Sequence, residues 1–342
     1  MFIIIALVVL SFLIFVHELG HFVVAKLSRM TVDEFSLGFG PAIISKQWGE
    51  TRYSLRLLPL GGYNKIAGME PNDDRPDGFD KKPLTVRIGV ILAGSLSNFL
   101  IAALLFIFTL SFIGQAVLSN TNVIGEVIRN SPAEQIGLQS GDQIVQIDSV
   151  RTVVWDDVAS AIHAKGQQQI TVTVKRNNQL HDFKVVPRYD QDLKIGQIGI
   201  SPTIVWERQG FLSAVNIGLK SAIGFARLII VSLYQLITGQ VAMQNISGPV
   251  GVVQQIGDSA RSGLGTLLMY TGILGINLAI VNLLPFPALD GSRILFLLLE
   301  GLRGKPINPE KEGMIHLVGF AILMGLVLLI TYNDIMRLFT GG

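Results

Sequence analysis

His17 and His21 stand four residues apart, with Glu18 between them, in His17-Glu18-Leu19-Gly20-His21. On a helix this spacing puts both imidazoles on one face, the arrangement of two zinc ligands. The Glu is placed to act on a water polarised by such a metal. The surrounding run from Phe2 to Val24 is apolar and long enough to cross a bilayer. Ionisable side chains in a span are costly unless they have a task, so the pattern predicts a zinc hydrolase with its site at membrane depth.

A catalytic zinc needs a third protein ligand and an open position for water. The chain has no cysteine, so that ligand is His, Asp or Glu, and disulfides are excluded. Of the other histidines, His163 and His181 fall in a soluble module, and His316 begins the last apolar run, where it reads as an interfacial residue. Asp290 is the better candidate. It is an acid at membrane depth, on backbone broken by Pro287 and Gly291. Its alternative reading is a helix N-cap for a helix starting near Arg293. The expected site is therefore His17, His21 and Asp290 as metal ligands. Glu18 would act as the general base that later passes its proton to the leaving amine.

The composition sets the context. The chain has 342 residues, 49% hydrophobic and 15% charged, with mean hydropathy +0.50. Soluble domains carry roughly 25% charged residues, so this reads as an integral membrane protein with some soluble content. A net charge of +2 gives no reason to expect nucleic acid as a partner. The N-terminal run lacks a basic leading region and a small-residue cleavage site, and reads as a retained span rather than a signal peptide.

Four transmembrane helices are expected, at residues 1–27, 88–113, 264–284 and 314–332. Residues 28–87 read as a cytoplasmic-side β segment re-entering the membrane, from the alternation in Thr51-Arg52-Tyr53-Ser54-Leu55-Arg56-Leu57 and its Gly/Pro punctuation. An unpaired edge within 51–63 would template an extended substrate by strand addition. Residues 118–189 form one compact α+β module, and 211–238 an interfacial or membrane-associated helix. Asn282 to Gly291 extends the third span as a broken segment, and 292–313 is a cytoplasmic helix and basic loop. Lys and Arg crowd 26–87 and 293–311, which puts both segments in the cytoplasm and the module outside. Asn277 and Asn282, at membrane depth, have two readings: interhelical hydrogen bonding, or holding an extended substrate backbone. Asn98 has the same two.

The motifs His17-Glu18-Leu19-Gly20-His21 and Asn282…Pro285…Pro287…Leu289-Asp290-Gly291 resemble the site-2 protease family of intramembrane zinc metalloproteases, in its bacterial regulator of sigma-E protease type. Gly38-Phe39-Gly40-Pro41, Leu58-Pro59-Leu60-Gly61-Gly62-Tyr63, Ser247-Gly248-Pro249 and Asn333-Asp334 also match, so the resemblance spans essentially the whole chain. It implies Zn2+ held by His17, His21 and Asp290, Glu18 as catalytic base, and Asn277 and Asn282 as the substrate-binding pair. It implies that the module is a single inserted PDZ domain on the extracytoplasmic side of the bacterial inner (plasma) membrane. It also implies transmembrane protein substrates, an anti-sigma factor or remnant signal peptides. The chain departs from the family in having one such domain where some relatives have two, and in Ser95 where proline often follows Gly94. Two other classes remain open at this level. A non-catalytic membrane PDZ scaffold would have no use for Glu18 or Asp290. A zinc transporter would line several spans with ionisable residues, and here they cluster at one depth.

Overall fold

The computed structural model describes residues 2–70, 73, 75–191, 193–240, 247–305 and 307–340, without the side chains of 59, 60, 309 and 337–340. The chain divides into two compact units, Met1–Phe112 with Gly210–Gly342, and Ile113–Gln209.

Helix α1 (Phe2–Leu27) is apolar along nearly its whole length, and in lipid only an internally bonded backbone is tolerable. Its buried residues are Ala6, Val9, Leu13, His17, Gly20, His21 and Ala25, a single stripe at three- and four-residue spacing. Ile3, Ile4, Val8 and Leu27 lie exposed off that stripe. A long antiparallel hairpin follows, β1 (Val32–Trp48) and β2 (Thr51–Ile66). The pairing curls: Glu34, Phe35, Ser36 and Leu37 each have two β2 partners, one in 52–55 and one in 62–65. Leu55 is flanked on both sides, by Leu37 and Ile44, whereas 62–66 pairs on one side only. The open edge expected somewhere in 51–63 therefore lies at 62–66 and not around Leu55. Arg56 ties the curl together, donating to Glu34 Oε1 (2.7 Å), Ser36 Oγ (2.9 Å), the Gly40 carbonyl (2.7 Å) and Tyr63 Oη (2.6 Å).

Helix α2 (Leu84–Phe108) continues as a π turn, Thr109–Ile113. It packs very closely on α1. A β-carbon built on Gly20 would lie 2.3 Å from the Ala93 carbonyl oxygen and 2.4 Å from Ser97 Oγ. Ser97 Oγ donates across the same contact to the Val16 carbonyl, at 2.9 Å.

The second unit is built from short strands β3 (Gln115–Leu118), β4 (Ile124–Val127), β5 (Gln143–Ile147), β6 (Val150–Arg151), β7 (Ile170–Arg176), β8 (Gln179–Val185), β9 (Arg188–Asp190), β10 (Ile195–Gln197), β11 (Ile200–Pro202) and β12 (Ile204–Glu207), with helices α3 (Pro132–Gln135) and α4 (Trp155–His163). A four-stranded sheet runs β6-β5-β7-β8. Along β7 the alternation buries Ile170, Val172 and Val174, which join Ile124, Ile144, Val158 and Ile198 in one core. Ser131 caps α3, accepting from the Glu134 N–H, with Pro132 at the first helical position. This unit is longer than the expected 118–189, because β11 returns to pair with β4 and β12 with β3. Those late strands have three or four residues, too short to show a period.

The chain then resumes the first unit with α5 (Phe211–Ile237), α6 (Pro249–Arg261), α7 (Leu264–Asn282), α8 (Asp290–Arg303) and α9 (Pro309–Thr340). Helix α5 leans on the others through Ala214, Gly218 and Ala222, with Gly218 against Ile107 of α2. Helix α6 has no counterpart in the sequence reading, where β-branched valines and two glycines obscure its period. Residues 241–246, between α5 and α6, lie outside the described ones. Asp334 of α9 caps α6, accepting from the Gly248 N–H (3.1 Å) and the Gly251 N–H (2.9 Å). Arg87 of α2 and Glu300 of α8 form a two-bond ion pair at 2.5 and 3.0 Å. Five helices are long and apolar enough to cross a membrane by length and composition: Phe2–Leu27, Leu84–Ile113, Phe211–Ile237, Leu264–Asn282 and Glu310–Met336. They include helices at all four expected spans, and α5 is the additional one.

The backbone atom facing Gly20 cannot yield. Gly20→Ala should therefore destabilise the detergent-solubilised protein by about 1–3 kcal/mol, and an unchanged Tm would contradict the close approach of α1 and α2.

Candidate metal centre

The buried stripe of α1 brings His17 and His21 to face α2, and the turn after α7 brings Asp290 to the same point. His17 Nε2 lies 3.1 Å from Asp290 Oδ2, His21 Nε2 lies 3.2 Å from it, and the two Nε2 atoms are 3.2 Å apart. The rings stand edge to face, 4.7 Å between centroids. An ion coordinated tetrahedrally at 2.0–2.1 Å from three donors requires those donors to be about 3.3 Å apart, so the triangle fits a small divalent metal. Among the described residues this is the one group of three His, Cys, Asp or Glu able to share an ion.

The donors are aimed by their surroundings. His21 Nδ1 donates to the Val90 carbonyl of α2 at 2.8 Å, which fixes the hydrogen on Nδ1 and turns the Nε2 lone pair toward Asp290. Gly94 forms the floor beneath both rings. A β-carbon there would lie 2.2 Å from His21 Nε2 and 2.8 Å from His17 Cε1. Asp290 is the first residue of α8, with Leu289 as N-cap and no side-chain cap bond, so its carboxylate faces the imidazoles and does not cap the helix. Gly291 permits the tight turn that delivers it: a β-carbon would meet the Leu283 and Leu284 carbonyl oxygens at 2.2 and 2.3 Å.

Glu18 lies beside the triangle and lines a cavity of about 240 Å³ with His17, Asp290, Asn282, Gly61 and Gly62. Asn282 Nδ2 is 3.4 Å from His17 Nε2. Asn277 is exposed on α7 and does not line this cavity. Asn98 is fully buried between α2 and α7, its carbonyl oxygen close to Gly275. His163 and His181 belong to the second unit.

One contributor, Asn64, has no counterpart in the sequence reading, and a second, His316, makes a contact that the reading did not give it. Asn64 of β2 donates to both the Glu18 carbonyl (2.8 Å) and Glu18 Oε2 (2.7 Å), so the hairpin holds this carboxylate in place. His316 of α9 accepts from the Ala288 N–H, two residues before Asp290. A polar side chain in a glycine-flanked strand was the one available signal for Asn64. His316 was noticed, but its partner was not.

Comparison with known proteins gives a consistent picture. The model of "Peptidase family M50" matches residues 5–326. The "Regulator of sigma-W protease RasP" of Bacillus subtilis is 32% identical, covering 97% of this chain and 98% of its own. The "Zinc metalloprotease RasP" of Geobacillus kaustophilus is 34% identical, with 97% of each chain covered.

Gly94→Ala should push the imidazoles out of the triangle and weaken zinc binding about tenfold or more, the usual scale for disturbing what orients a ligand. Competition with a chromophoric chelator measures this, and parent-like affinity would mean that the rings do not rest on Gly94.

Proposed function

The chain belongs to peptidase family M50, and we propose that it performs regulated intramembrane proteolysis of single-span membrane proteins. It is a zinc metalloendopeptidase. The observation that carries the proposal is the meeting of His17, His21 and Asp290, from opposite ends of the chain, beside Glu18 on one cavity. In this reading the three residues hold the zinc and Glu18 is the general base.

Bound zinc would polarise the scissile carbonyl and lower the pKa of the attacking water. Glu18 takes a proton from that water as its oxygen adds to the carbonyl carbon. Glu18 then gives the proton to the amide nitrogen as the C–N bond breaks. Asn64 keeps the Glu18 carboxylate aimed through its hydrogen bond to Oε2. Asn282, on the cavity wall, is placed to hold the substrate backbone, and Asn277, more than a turn earlier on α7, would meet it first.

A helical substrate hides its carbonyls, so it must enter extended. The 62–66 flank of the hairpin is open on one side, and Gly61 and Gly62 line the cavity, which supports strand addition there. The far half of the hairpin exposes Phe39, Ile43, Ile44, Trp48, Leu57 and Leu58. Such apolar exposure supports a segment re-entering the membrane. The crowding of Lys and Arg in 26–87 and 293–311 supports an active site toward the cytoplasm, with Ile113–Gln209 on the far side of a bacterial plasma membrane. The small sheet and two short helices of that unit support a PDZ domain acting on substrate access. The name of the Bacillus subtilis relative supports an anti-sigma factor as substrate; remnant signal peptides are the second class we propose.

Metal content and cleavage of a model transmembrane peptide, measured together, test the assignment. Glu18→Gln should keep its zinc and lose activity by about a hundredfold or more. Asp290→Ala should lose the metal. Full activity in the Gln variant would refute Glu18 as the base. Asn64→Ala should keep its zinc and lower kcat about tenfold, the scale of one hydrogen bond to a charged group; an unchanged kcat would remove Asn64 from the mechanism.

A further inference from the structure

The segment between α7 and α8 is an unusual piece of backbone for a membrane protein. Pro285 and Pro287 break the helix, and Ala288 has φ +78°, the left-handed region that a β-carbon disfavours. An unbonded N–H in such a segment is costly where lipid replaces water. The Ala288 N–H does not bond back into its own turn. It crosses to α9 and donates to His316 Nδ1 at 3.0 Å, 28 residues later.

Helix α9 grips the turn at a second point. Gly319, one helical turn beyond His316, packs so closely that a β-carbon would meet Pro287 Cβ at 2.2 Å and the Pro287 carbonyl oxygen at 2.8 Å. The His316 ring is itself held. It stands edge-on to Phe296 of α8, with centroids 5.6 Å apart. Its Nε2 lies 3.7 Å from Glu312 Oε1. Because Nδ1 accepts from the Ala288 N–H, its lone pair is free for that bond, and the hydrogen of the neutral ring sits on Nε2.

We infer that His316 is a positioning residue for the metal site, locking the strained turn at Ala288 so that Asp290 reaches His17 and His21. Asp290 is two residues from the locked position, and its Oδ2 must fall 3.1–3.2 Å from two separate imidazoles. A turn free to relax out of the left-handed region would carry Asp290 away from them. His316 touches neither metal nor substrate, and its effect passes through the backbone.

The inference rests on the zinc reading of the site. Its test is the zinc affinity of the full-length, detergent-solubilised chain, stripped of metal and titrated against a chromophoric chelator. His316→Leu removes the acceptor, and zinc binding should weaken about tenfold to a hundredfold. His316→Asn places an oxygen where Nδ1 stands, and its affinity should stay within about threefold of the parent, a rescue that simple loss of ring packing would not give. His316→Gln carries its acceptor one bond further out and should behave like Leu; it serves if the Leu variant does not accumulate. Parent-like binding by Leu or Gln, or an Asn variant as weak as Leu, would overturn the role of His316. A parent chain that takes up no zinc would overturn the metal reading and this inference with it.

Discussion

Three electron-pair donors within about 3.2 Å of one another repel unless a cation lies between them. Keeping His17, His21 and Asp290 in that arrangement is the constraint on which the first unit depends. Helix α1 contributes its buried stripe, α2 the carbonyl that orients His21, and the broken segment after α7 the carboxylate. None of the three is held by its own element alone. The site is a meeting of four helices and a hairpin, and glycine is what lets them meet. Gly20, Gly94 and Gly291 each occupy a position where one extra carbon would strike a backbone oxygen or a ligand ring. In lipid there is no hydrophobic drive between helices, so close packing through small residues must supply the association.

The same economy governs the polar groups. Four of them are matched to a specific partner: Ser97 to the Val16 carbonyl, Asn64 to Glu18, Asp334 to the first amides of α6, and His316 to the Ala288 amide. Most of these bonds join segments far apart in sequence. They fix the relative placement of helices whose apolar surfaces would slide over one another with little change in energy.

This explains what was legible in the sequence. Residue type marked His17, Glu18 and His21, because ionisable groups stand out in an apolar run and their spacing is a helical turn. Asp290 stood out because proline and glycine announce broken backbone. The helices at the four expected spans followed from hydropathy. Asn64 and His316 are common residue types whose partners lie 46 and 28 positions away, and such bonds leave no period. Helix α6 was hidden by valine and glycine, and the closing strands of the second unit by their shortness. The open edge of the hairpin could not be placed because a curl that gives four β1 residues two partners each is a property of register, not of composition.

The division of the site between the two ends of the chain also sets a schedule. His17 and His21 enter the membrane early in synthesis, and Asp290 follows 273 residues later. At 5–20 residues per second, the ribosome needs roughly 15–55 s to bridge that interval. Throughout it the growing chain holds Glu18 and two imidazoles without the Asp290 carboxylate that meets them in the fold. The triangle of His17, His21 and Asp290 thus cannot close until nearly all of this chain has been made.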